Sequence, residues 1–118
     1  MISTATLYSN ESINPVSKMI IHTVTFKTRH RNGSAGETDF LKAGKALGKL
    51  PMVRNFQCFR QVGRKSNFEF GFSMEFNSQF EYDAYNEHPE HLEFVETRWK
   101  KEVEDFLELD YVHYRIPQ

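Results

Sequence analysis

The sequence predicts an α+β domain in which four strands and two helices follow the order βαββαβ, the split βαβ arrangement of an antiparallel sheet with both helices on one face. Three observations carry that expectation. Residues 68–76 alternate strictly, with Phe68, Phe70, Phe72, Met74 and Phe76 on one side and Glu69, Gly71, Ser73 and Glu75 on the other. That is the period of a strand with one buried face. Residues 19–27 alternate in the same way, and two stretches, 37–50 and the segment after Pro89, repeat their apolar residues at helical spacing.

Taken in order, residues 1–18 are polar, unpatterned and interrupted by Pro15, the composition of a flexible N-terminal extension. The domain is expected to occupy residues 19–118. In the first strand His22, Val24 and Phe26 share one face and Thr23, Thr25 and Lys27 the other, so His22 is expected on the apolar side. A Gly- and Asn-punctuated loop leads to a helix over residues 37–50, which carries Phe40, Leu41, Ala43, Leu47 and Leu50 and is stopped by Pro51. Gly44 and Gly48 weaken that helix but permit close approach to the sheet. "NFQCFRQV" reads as a second strand ended by the "GRKSN" turn, and residues 68–76 as the third. A short helical piece covers Phe80 to Tyr85. After Pro89 comes a helix whose stripe is Leu92, Val95, Trp99, Val103 and Phe106, and "LDYVHYRI" closes the chain as the fourth strand. The far face of the sheet, with Thr23, Thr25, Glu69 and Ser73, is neither plain core nor plain surface, and a second copy of the chain would cover it.

Composition narrows the partners. The 15 basic and 16 acidic side chains nearly cancel, so no global field draws the chain to nucleic acid or to an anionic membrane. No apolar run approaches the roughly 18 residues needed to span a bilayer. The single Cys58 cannot form an intrachain disulfide and fits a reducing compartment, so a cytoplasmic protein is expected.

The chemistry concentrates in "YNEHPEH", residues 85–91. Pro89 suits the first position of a helix, which makes His88 the N-cap and puts His91 in the first turn. The helix dipole there disfavours imidazolium, so His91 is expected neutral and able to accept a proton as a general base. Tyr85, across the proline corner, can donate a hydrogen bond to a carbonyl or enolate oxygen. His22 faces the helices, and Asp110 can orient an imidazole by accepting its second N–H. Plainer roles stand beside these: a cap or border histidine, a packing tyrosine, a buried histidine, a sheet-end acceptor. His88 and His91 have the spacing of two metal ligands, but Pro89 distorts it and no third ligand lies nearby, so neither metal nor cofactor is expected.

Four segments in this order resemble the stress-responsive dimeric alpha-beta barrel (Dabb) family: "IIHTVTFK", "FGFSMEF", "YNEHPEHLEFV" and "DYV". The resemblance implies a ferredoxin-like protomer whose sheet packs on a partner's to form a barrel homodimer. A plant member of the family closes a polyketide thioester ring by a cofactor-free aldol step, and its catalytic tyrosine and histidine correspond to Tyr85 and His91. Its supporting histidine and aspartate correspond to His22 and Asp110. Phe70 stands where the family commonly has a histidine, and Ala43 where that cyclase has a tyrosine. Two readings follow from the resemblance. One is a stress-responsive dimer with a small apolar pocket per protomer, edged by His22, Phe70, Tyr85, His91 and Asp110, for an apolar or aromatic ligand. The other is a cofactor-independent, polyketide-cyclase-like or other proton-transfer enzyme using Tyr85 and His91.

Overall fold

The structure, a computed structural model, describes residues 18–118; apart from Lys18, the expected flexible extension lies outside the described residues. Strand β1 is Ile20–Thr28, helix α1 Ala35–Ala46, β2 Arg54–Arg60, β3 Phe70–Phe76, α2 Gln79–Glu87 and β4 Val103–Val112. Helix α3 starts as Pro89–Phe94, widens into a π-helical turn over Val95–Trp99 and closes with Lys100–Glu102. The strands form one antiparallel sheet in the order β2-β3-β1-β4, the expected ferredoxin-like βαββαβ topology.

Each helix begins where its sequence supplies a cap. Ser34 accepts the Glu37 amide at 3.2 Å, and the Glu37 carboxylate returns to the Gly33 amide at 2.9 Å, a reciprocal N-terminal cap for α1. Ser78 and Glu81 repeat the device at α2, with Asn77 as the amide donor. At α3 the Nδ1 of His88 accepts the Glu90 amide at 3.1 Å while Pro89 takes the first helical position, as its fixed φ favours.

The core lies between the sheet and the helices. Along β1 every second residue is buried, from Ile20 to Thr28. Phe26 has no exposed surface, and its ring centroid lies 5.9 Å from Phe40, 5.9 Å from Phe70, 4.8 Å from Phe72 and 5.2 Å from Trp99. Gly44 packs where a Cβ would stand 2.6 Å from the Phe72 ring, so only glycine lets α1 approach β3 this closely.

The second half of the chain corrects two expectations. Val103 and Phe106 are not part of a helical stripe: α3 ends at Glu102, and Val103 is extended, with φ −93° and ψ 126°. Val103 pairs with Thr28, so the fourth strand begins there rather than at Leu109. A β-branched residue that gains both ladder hydrogen bonds and burial is better served in the strand than in another helical turn. Leu92 is 52% exposed, and Phe94, at 9%, is the residue that anchors α3 to the core.

The longer β4 also changes the open face. Ile21, Thr23 and Thr25 pair with Tyr111, Leu109 and Leu107, which therefore share their face. Those three β4 residues, with Phe59 on β2, remain about half exposed. The open face thus carries an apolar band beside the threonines. Among the described residues no helix is long and apolar enough to cross a membrane.

Candidate active site

A cavity of about 430 Å³ lies between the sheet and helices α2 and α3, within the size range of small-molecule sites. Val24, Phe72 and Met74 from the sheet, Leu47 after α1, and Phe94 and Trp99 from α3 give it an apolar body. Its polar lining is His22, Tyr85, Asn86, His91, Lys100 and Glu108. Asn86, Lys100, Phe106 and Glu108 are the exposed members, which places the mouth beside the edge strand β4.

Sequence proximity across the Pro89 corner becomes contact: the Tyr85 and His91 ring centroids are 4.3 Å apart. The Nδ1 of His91 lies 3.3 Å from the backbone carbonyl of Asn86. A carbonyl only accepts, so Nδ1 carries the hydrogen, and in neutral imidazole Nε2 keeps the lone pair. Burial pushes the His91 pKa below its ordinary value; the Asn86 bond opposes this, while His22 and His88 add to the fall. Tyr85 is 3% exposed, and among the described residues its hydroxyl has no hydrogen-bond partner. Burial, then the charge of Glu108, raises its pKa far above the ordinary phenol value, so the Tyr85 hydroxyl keeps its proton.

The His91 shift has a measurable sign. Its folded pKa lies below the unfolded value of about 6.5. The unfolded chain therefore binds more protons in the interval between the two values, and the stability contributed by neutral His91 is lost as pH falls through that interval. Histidine NMR titration of the folded protein is expected to show a His91 midpoint under about 6.5; a midpoint above it would contradict the half-buried placement.

A second polar cluster stands on the same wall. His22, 6% exposed, places Nδ1 2.6 Å from Asp110 Oδ1. The Tyr82 hydroxyl donates to Asp110 Oδ2 at 2.8 Å and lies 2.9 Å from the same His22 nitrogen. Tyr82 is held by stacking on Phe76, with centroids 4.9 Å apart and planes 16° from parallel. The Nε2 of His22 is 3.9 Å from Glu108 Oε2, too far for a hydrogen bond.

Of the five residues expected at the pocket, the structure brings His22, Tyr85 and His91 to the cavity wall, with Asp110 directly behind His22. Asp110 serves His22 and not His91, whose ring is oriented instead by the Asn86 carbonyl. Phe70 does not line the cavity. His22 pairs with Met74 and Phe26 with Phe70, so Phe70 lies four residues along the strand from the site, roughly 14 Å away. It is buried there against Phe26 and under the Arg60 guanidinium, and Phe72 takes its place in the cavity. Ala43 faces a shallow groove between α1 and α3. Tyr82, Lys100 and Glu108 are additions. For Tyr82 the signal was its position three residues before Tyr85, which puts both on one helical face. Among the described residues no three His, Cys, Asp or Glu side chains converge on a point where a metal ion could bind.

A four-stranded antiparallel sheet, helices on one face, and a cavity edged by a tyrosine–histidine pair define a ferredoxin-like α/β-barrel protomer. The chain belongs to the stress responsive A/B barrel domain (Dabb) family, whose model matches residues 20–113. A Dabb family protein with a ferredoxin-like fold from Mesorhizobium loti is 47% identical and superposes with a TM-score of 0.80, covering 82% of this chain and 98% of that one. The fold is shared by a hydroxynitrile lyase from Passiflora edulis, with 15% identity, a TM-score of 0.75 and coverage of 86% and 98%. It is also shared by a dimeric protein of unknown function from Bacteroides fragilis, with 18% identity, a TM-score of 0.64 and coverage of 83% and 99%. No curated protein sequence matches the chain.

Proposed function

We propose that the chain is one protomer of a homodimer that binds a small, partly aromatic or acyl carbonyl compound in each cavity and moves a proton on it with side chains alone. His91 Nε2 removes a proton from the carbon next to the carbonyl, and the Tyr85 hydroxyl donates a hydrogen bond to the oxygen where negative charge develops. The observation that carries this reading is the Nδ1 contact of His91 with the Asn86 carbonyl, which reserves Nε2 for a ligand beside an unpartnered tyrosine hydroxyl. The aromatic lining, with Phe72, Phe94 and Trp99, supports a flat apolar body for that ligand.

Two likenesses support the parts of this reading. The Passiflora hydroxynitrile lyase shares this fold, which supports an enzyme reading, and the dimeric Bacteroides protein supports a homodimer. Phenylacetone, an aromatic ketone whose benzylic carbon next to the carbonyl is weakly acidic, is a suitable probe. Wild-type protein is expected to gain thermal stability from it and to exchange its α-hydrogens with D2O, read by proton NMR. His91→Gln should reduce exchange on the order of 100-fold, and the His91→Ala, Tyr85→Phe double variant should lose the thermal shift. Equal exchange by wild type and His91→Gln would overturn the assignment of the base.

A further inference from the structure

We propose that His22 Nε2 and the Glu108 carboxylate form a subsite for a primary ammonium group, so that the cavity takes an amino ketone in preference to a plain or acidic one. The proposal rests on the reading of the cavity as a site for carbonyl compounds and adds a second functional group to the ligand.

Two unused acceptors face one space. His22 of β1 and Glu108 of β4 both line the cavity. On the other side of the His22 ring, Nδ1 stands 2.6 Å from Asp110 Oδ1, and a carboxylate only accepts, so Nδ1 carries the hydrogen. In the neutral ring Nε2 then keeps its lone pair. Glu108 Oε2 lies 3.9 Å from that nitrogen, and among the described residues neither the nitrogen nor the carboxylate has a hydrogen-bond donor.

The separation selects the guest. A donor atom held about 2.8 Å from each of the two acceptors sees them at an angle of about 90°. That is near enough to the tetrahedral angle for two hydrogens on one nitrogen to reach one acceptor each. An ammonium supplies both hydrogens and a positive charge, whereas a hydroxyl supplies one hydrogen and a carboxylate none. The Glu108 side chain is 57% exposed, so the third N–H of the guest keeps a path to water.

Charge at the mouth favours the same group. Lys100 also lines the cavity, but its ammonium is held by Glu96 one helical turn away, which leaves Glu108 without a cation. Asp110 behind His22 adds a further negative charge. The buried, unpartnered Tyr85 hydroxyl belongs to the same wall: its ring packs on that of His22 with centroids 6.4 Å apart, and the field of Glu108 reaches it. One small ligand can thus offer its carbonyl to Tyr85 and its ammonium to His22 and Glu108.

NMR titrations of the full chain with phenethylamine, 2-phenylethanol and 3-phenylpropionate test this without any proton transfer. The amine is expected to bind on the order of tenfold more tightly than the alcohol, and the acid more weakly than either. Glu108→Gln should erase the preference for the amine, while His91→Gln should keep it. Nitrogen-15 spectra should show His22 Nε2 without a hydrogen and shift it on adding the amine. Equal affinity for amine and alcohol in the wild type, a preference that survives in Glu108→Gln, or a hydrogen on His22 Nε2 would each overturn the proposal. Failure of the wild type to exchange deuterium into phenylacetone, with the amine preference intact, would overturn the assignment of His91 alone.

Discussion

Phe26→Ala is expected to lower the unfolding free energy by about 3–5 kcal/mol and the melting temperature by more than about 10 °C. The ring is wholly buried and touches aromatic side chains from three directions: Phe40 of α1, Phe70 and Phe72 of β3, and Trp99 of α3. Truncation forfeits the transfer energy of the ring and leaves a hole that cannot collapse, because the neighbouring rings are fixed by separate elements. Against the roughly 5–15 kcal/mol that holds a domain together, that is a large fraction. The loss also reaches the site, since Phe72 and Trp99 pack on Phe26 and line the cavity. Chemical denaturation midpoints for wild type, Phe26→Leu and Phe26→Ala should fall in that order. A Phe26→Ala midpoint equal to wild type would contradict the packing described.

The Leu107→Asp, Leu109→Asp double variant is expected to be a folded monomer in light scattering, where wild type is expected to be a dimer. Both leucines are about half exposed on the open face, so the protomer loses little when they are replaced. In the dimer each would be covered, and each buried leucine contributes about 1.5–3 kcal/mol. Replacement loses that and places carboxylates against a partner's apolar band, which weakens association by at least about a hundredfold. An unchanged molar mass for the double variant would remove this face as the contact.

Much of this was legible in the sequence where a single physical constraint dominates. Strict alternation made β1 and β3 plain, and the Pro89 corner made the Tyr85–His91 contact plain, because proline allows few paths into a helix. The strand face predicted for His22 also placed it opposite the helices, and the cross-strand register brought Asp110 beside it. What escaped was decided by competition between distant segments. The residues from Val103 to Phe106 fit a helical stripe locally, and only pairing with Thr28 and Phe26 of β1 turns them into strand. Because β4 was read too short, its leucines and Glu108 were not seen on their two faces. Tyr82 was not singled out, because its place in the site depends on Asp110, 28 positions away. Phe70 was placed at the pocket by likeness to a family position, whereas the register, which pairs His22 with Met74, gives that wall to Phe72, two residues nearer on the same face.

The π-helical turn has a chemical meaning. In a regular helix the residues following Val95 onto the same face would come three and four places later, Arg98 on one side and Trp99 on the other. The wider turn delays that return, so Trp99 and Lys100 line the cavity and the Arg98 guanidinium swings away to Asp39, 2.8 Å distant. One residue of slack in the backbone thus centres the wall on Trp99 and Lys100 and leaves Arg98 to the Asp39 and Glu102 carboxylates. A ligand entering past Lys100 meets its charge only at the doorway and an aromatic surface within.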